Sequence, residues 1–259
     1  MTKFISNRLR NYHKPEILSG LLCFAITGLA ALALTSCGGG GGGGGGGGST
    51  AVTITSISRP GIVQATPYSL SIYGTNFVNG MTLSITSSNP TVTITPTSIT
   101  SGLITANVNI STAPAERYVT INILSNGSSV ASTIMGVASS NQVLQSTGTG
   151  YAPATTDIQN ILNIYCRSCH GASGNLNMST NTLSSNNLIN TYSTGTYKCA
   201  NKFRVVAGDP RTTSSFLIDK LTNATPCGGG VKMPTGTLTT PFTQTEIDAI
   251  TDWVAGGAR

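Results

Sequence analysis

Three patterns of apolar and polar positions succeed one another along this chain. The first is a solid apolar run from Ile17 to about Leu34, with Lys3, Arg8, Arg10 and Lys14 ahead of it. From Ala51 to about Ser140 the period becomes two. "VTITSIS", "YSLSIYG", "MTLSIT", "TVTITP", "LITANVNI", "YVTINILS" and "SVASTIMGV" alternate β-branched or aromatic residues with small polar ones. Turn signals such as Arg59-Pro60-Gly61 and Ser125-Asn126-Gly127 separate them, and this succession of short strands predicts an all-β sandwich. After a Gly/Ser/Thr-rich join the period turns helical. Thr155, Thr156 and Asp157 offer N-caps, and Ile158, Ile161, Leu162 and Tyr165 recur at helical spacing. "SFLIDKL", 215 to 221, is a shorter helix, and Thr243 to Glu246 is a T-x-x-E capping box before Ile247, Ile250, Trp253 and Val254. The rest of this third part reads as loop, so its small core calls for a large cofactor or a covalent staple.

A basic flank followed by an apolar run is the layout of an export signal. Its end, Leu34-Thr35-Ser36-Cys37, resembles the lipobox of bacterial lipoprotein precursors. That resemblance implies a signal peptide at residues 1–36, removed before Cys37, and attachment to a lipid bilayer through Cys37. Gly38 to Gly48 is an unbroken glycine tract, a flexible tether (residues 37–50 with its flanks) about 18 Å from end to end. The implied location is the cell envelope, and Gly38 in place of an acidic residue favours the outer membrane over the inner. The formal charge of +6 falls to +3 once the leader is set aside, too mild and scattered for a nucleic-acid partner. Export also makes disulfides plausible.

"SLSIYGTNF" followed by Gly80 resembles the immunoglobulin-like IPT/TIG family. The resemblance implies an immunoglobulin-like sandwich over residues 51–140, with Tyr73 and Phe77 in its core and Gly74 in a turn. It reads as a spacer or docking unit, with an adhesin-like binding unit as the alternative. Residues 141–153 are then the linker.

In the third part, 154–259, Cys166-Arg167-Ser168-Cys169-His170 has the spacing of c-type haem attachment. Two thiols add across two vinyl groups on one edge of the macrocycle, and the next residue lies beneath the iron, where its imidazole binds. A thioredoxin-like pair would sit between strand and helix, whereas here a helix runs into the cysteines. A zinc site from Cys166, Cys169, Cys199 and Cys227 would need a closer second pair. A Cys166–Cys169 disulfide would close a very tight loop. His13 lies in the leader, so His170 is the one mature histidine and methionine is the next haem partner. Met81 and Met135 belong to the strands. Met178 follows His170 too closely to cross to the other haem face. Met233, on the Gly/Pro loop "GGGVKMPTG", is the candidate.

"CRSCHG", "FRVVAGDPRTTSSFLIDKL", "VKMP" and "FTQTEIDAITDWVAGGA" resemble a class of monohaem cytochrome c domains of exported bacterial proteins. The resemblance implies a mainly-α class I cytochrome c fold with one covalent haem c. Cys166 and Cys169 are its anchors, His170 and Met233 its axial ligands, and Gly208-Asp209-Pro210 a structural turn. The Gly228-Gly229-Gly230 run departs from the family pattern. With the other cysteines assigned, Cys199 and Cys227 remain as a disulfide pair, worth about 3–4 kcal/mol by chain entropy. The expected function is single-electron transfer to redox partner proteins at a membrane surface, without enzymatic turnover. The alternatives are a haem catalyst or gas or redox sensor with a labile sixth ligand, and an adhesin carrying an accessory haem domain.

Lipidation has its own test. Metabolically supplied palmitate is expected to label the wild-type chain, with the label lost in Cys37→Ala.

Overall fold

Strands that alternate Ile, Val and Leu with Ser and Thr have one face that must leave water, and two such sheets close on each other. The computed structural model describes residues 51–88, 92–144, 157–171, 176–195, 198–235 and 242–259. The leader, Cys37, the glycine tract, most of the 141–153 join, and the cap candidates Thr155 and Thr156 lie outside them. The described residues belong to one compact unit, and no helix among them is long and apolar enough to cross a membrane.

The strands are β1 (Thr53–Ile57), β2 (Gly61–Val63), β3 (Tyr68–Thr75), β4 (Thr82–Thr86), β5 (Val92–Ile99), β6 (Leu103–Ile110), β7 (Tyr118–Ser125) and β8 (Ser128–Ala138). They form two four-stranded sheets, ordered β1-β3-β6-β5 and β2-β8-β7-β4. Ile104, Val108 and Ile110 of β6 face Val119, Ile121 and Ile123 of β7 across a continuous core that also takes Met81 and Met135.

The structure departs from the expected sandwich at three places. Gly61, read as part of a turn signal, opens the unexpected strand β2, which pairs parallel with Gly136, Val137 and Ala138 of β8. Gly74 is no turn glycine. It lies inside β3 opposite Ile54, and an added Cβ would fall 2.3 Å from the Phe77 ring. Phe77 is core as expected, but Tyr73 points outward and is 44% exposed. Leu70 and Ile72 take the inward positions of β3, so strict alternation turns Tyr73 to solvent.

Five short helices follow: α1 (Ile158–Tyr165), α2 (Arg167–His170), α3 (Asn181–Leu188), α4 (Phe216–Thr222) and α5 (Gln244–Ala255). Asp157 caps α1, its carboxylate accepting the Gln159 N–H at 2.9 Å. Thr243 and Glu246 form the expected capping box on α5, the Glu246 carboxylate accepting the Thr243 N–H at 2.8 Å. Ile158, Ile161, Leu162 and Tyr165 of α1 meet Ile250, Trp253 and Val254 of α5 in a second core. The Trp253 indole N–H reaches the Arg259 carbonyl at 3.0 Å. Helix α3 was not expected, because "NTLSSNNL" carries almost no apolar period.

The sandwich and the helices touch directly along α5. Both Asp252 oxygens accept hydrogen bonds from sandwich residues: Oδ1 from Arg117 Nε (2.7 Å) and the Ser139 N–H (2.9 Å), Oδ2 from the Ser139 (2.6 Å) and Ser140 (2.8 Å) hydroxyls. The approach is close enough to require glycine. A Cβ at Gly136 would sit 2.2 Å from the Ala255 carbonyl oxygen. At Gly208, where φ is +80, it would sit 2.0 Å from that of Pro60. Gly208 therefore acts structurally, its N–H bonded to the Val254 carbonyl at 2.8 Å. Beside it, Arg211 pairs with Asp209 at 2.6 Å and lies 5.7 Å from the Tyr118 ring centre.

Removing the Asp252 carboxylate leaves Arg117 and two serines without their acceptor. Asp252→Ala is expected to lower the unfolding free energy by about 3 kcal/mol. Asp248→Ala, on the exposed face of α5, should stay within about 0.5 kcal/mol of wild type. Denaturant titration of both variants checks this.

Candidate functional site

Helix α1 hands the chain to the cysteine cluster without a break in hydrogen bonding. The Cys166 N–H still bonds to the Leu162 carbonyl at 2.9 Å. The Cys166 backbone then turns (φ −119, ψ −36) and its carbonyl accepts the N–H groups of Cys169 (3.2 Å) and His170 (2.8 Å). The short helix α2 is thus one turn wound on a single carbonyl. It brings Cys166, Cys169 and His170 together on that turn.

Their surroundings differ. The Cys166 thiol faces the helical core, and burial, with a smaller contribution from Cys169, pushes it up to about 12. Cys169 is exposed, and both thiols are free. Burial, aided by the Arg204 charge, holds the His170 imidazole below its ordinary value. His170 Nδ1 is buried with no hydrogen-bond partner among the described residues. Cys199 and Cys227 form the expected disulfide, with Cα atoms 5.3 Å apart. That takes them out of any four-cysteine zinc site. Among the described residues there is no cluster of three or more His, Cys, Asp or Glu side chains able to hold a metal ion.

Met178 returns to the backbone of His170, its N–H bonded to the His170 carbonyl at 2.8 Å, and its side chain is buried in the helical core. Met81 and Met135 are buried in the sandwich. Met233 is partly buried against the same core as Cys166 and Tyr165. Before it, Gly228, Gly229 and Gly230 all have positive φ, +79, +78 and +79.

Three neighbours were not assigned to the site in the sequence reading. Arg204, in "FRVV", is buried, reaches the Asn187 carbonyl and the Thr194 hydroxyl (2.7 Å each), and bears electrostatically on His170. Its place in the motif gave no sign of its partners. Tyr165 hydrogen-bonds to Glu246 and packs edge-on against Phe242, ring centres 4.8 Å apart, joining α1 to the start of α5. Lys220 meets the Met233 loop. A cleft of about 720 Å³ lies elsewhere, beside the disulfide, lined by Lys202, Phe203, Asp209, Asp219 and Cys227 among others. None of Cys166, Cys169, His170 and Met233 lines it.

No protein-family model matches the chain, and no curated protein matches its sequence. Among solved structures it is similar to the crystal structure of the Lin-41 filamin domain, at 18% identity over 33% of this chain and 92% of that one, with a TM-score of 0.26.

The unequal exposure of the two thiols gives a measurable order of reaction. In protein made without any covalent addition at the cluster, iodoacetamide at pH 8 is expected to alkylate Cys169 well before Cys166. Peptide mass spectrometry over time reads the order, and equal rates would contradict the burial of Cys166.

Proposed function

We propose that the C-terminal part is a class I cytochrome c module holding one haem c, and that the protein is an electron carrier anchored at a membrane. One observation carries this reading: two free thiols and an imidazole share a single turn, while the chain's other described cysteines are already bonded to each other. The residues fit the group. The thiols have attachment spacing, and a buried imidazole nitrogen with no hydrogen-bond partner among the described residues goes with a side chain kept for a ligand.

In this reading Cys166 and Cys169 would hold the haem covalently through their sulfurs, and His170 and Met233 would be the residues that bind its iron. When bound, the haem would supply a single iron that takes up and releases one electron. The protein's own residues do the rest. Tyr165, Phe242 and the α1–α5 core exclude water on the Cys166 side. The cation of Arg204 and the burial of the imidazole both disfavour a protonated His170, which keeps its nitrogen available as a donor. A thioether at Met233, soft and neutral, favours the reduced metal and raises the potential.

The module's mild charge offers little long-range steering, so a redox protein partner would be recognised by contact. The sandwich, read as an IPT/TIG-like immunoglobulin-type unit, would set the module's orientation above a bilayer that Cys37 and the glycine tether reach. The outer membrane is the favoured site.

Production in a host that matures c-type cytochromes is expected to add about 616 Da to the chain. The ferric protein should show the red charge-transfer band of thioether-bound iron, and Met233→Ala should lose the band and lower the potential. No added mass overturns the haem reading. Rapid carbon monoxide binding by the reduced wild type overturns Met233 as ligand and favours a sensor or catalyst.

A further inference from the structure

The span Cys227 to Met233 cannot hold its own path. Gly228, Gly229 and Gly230 have no side chains to pack, and Val231 and Lys232 are exposed. Glycine also loses the most backbone freedom on ordering, so the path has to be fixed from outside the span.

Two adjacent residues of α4 supply that fixing. Asp219 Oδ2 accepts the Cys227 N–H at 3.0 Å, at the start of the span. The Lys220 ammonium donates to the Gly229 carbonyl at 3.0 Å, in its middle. The Lys220 carbonyl accepts the N–H of Met233 itself at 2.7 Å, at its end. The disulfide to Cys199 fixes the first residue covalently. Among the described residues the Gly229 N–H also bonds to the Pro226 carbonyl at 3.2 Å, but Lys220 alone reaches the glycines with a side chain. It does so from a side chain that is itself buried, 9% exposed, and that lies 5.3 Å from the Phe216 ring centre. Burial fixes the direction of that stem, so the ammonium is an ordered donor and spends little side-chain entropy in the bond.

We infer that Lys220 is the positioning residue for Met233: its ammonium on Gly229 and its carbonyl on Met233 set the loop that presents the thioether, and so govern how readily the sixth iron position exchanges ligand. This rests on the His170/Met233 reading proposed above. Lys220 touches neither iron nor substrate and acts through the loop. The carbonyl survives any substitution, so a side-chain variant tests the ammonium alone.

Full-length holoprotein is prepared as wild type, Lys220→Met, Lys220→Arg and Lys232→Met, and the ferric forms are titrated with imidazole. Losing a charged hydrogen bond that holds only the Met-bound state should raise imidazole affinity about tenfold in Lys220→Met. Lys220→Arg should return towards wild type, and Lys232→Met, on an exposed side chain next to Met233, should not change. Amide hydrogen exchange over residues 228–233 should quicken in Lys220→Met alone. If Lys220→Met fails to fold, Lys220→Gln takes its place. Imidazole affinity equal to wild type overturns the inference, whether or not exchange quickens, because a bracket that does not reach the iron has no positioning role. A wild type lacking the charge-transfer band overturns the Met233 reading and this inference with it. That failure is separate from an unchanged variant beside a normal wild type.

Discussion

Helix α5 must satisfy two bodies at once, and the described structure depends on its doing so. Ile250, Trp253 and Val254 lie on one stripe and enter the helical core, while Asp252, about 100° back from Trp253, faces the sandwich. A carboxylate only 3% exposed is tolerable when its lone pairs are filled. Arg117, Ser139 and Ser140 fill them, and all three come from the sandwich end of the chain. The small core of the helical part is completed by a surface that a β-domain provides, which is how so few helical turns remain ordered.

The glycines at this contact carry the same meaning. Gly136 lets β8 approach the end of α5 to backbone distance, and Gly208 lets the turn before α4 approach Pro60. A sequence reader sees Gly136 as a weak spot inside "SVASTIMGV" and Gly208 as one more turn. The partner that requires each glycine lies far away in the chain, so no local pattern announces it.

What was legible follows this division between local and distant causes. The alternating strands, the Asp157 cap and the Thr243/Glu246 box are decided within a few residues, and the structure has them where the pattern put them. Strand β2 was missed because its three residues owe their extension to a parallel partner in β8. Gly74 was misread because the Phe77 ring, three residues on, folds back over it. In the candidate site, the Cys166–His170 turn is local and was legible, and the Cys199–Cys227 bond followed from counting thiols. The route of the Met233 loop was not legible, since α4 hydrogen bonds decide it and nothing in "CGGGVKMP" encodes them.

The His170 turn and the Met233 loop are therefore held by different physics. On the His170 side the chain is helix against helix, with Tyr165, Glu246 and Phe242 closing α1 onto α5, and burial of apolar area keeps it in place. On the Met233 side the chain is glycine loop, and apolar burial has little to act on. There the hold is covalent at Cys199–Cys227 and made by hydrogen bonds from α4. Burial pushes the Asp219 carboxyl up, but Lys202 at 3.0 Å, the Cys227 N–H and the Asn223 amide outweigh it and keep the group below the usual carboxylate range. An ionised Asp219 can then accept from the loop, and the neighbouring Lys220 can donate to it. A side fixed by a few specific bonds yields when one bond is lost, whereas a side fixed by packed area yields only with the fold. In the proposed haem reading, that asymmetry would put any exchange of ligand at Met233 and leave the His170 turn as the fixed one.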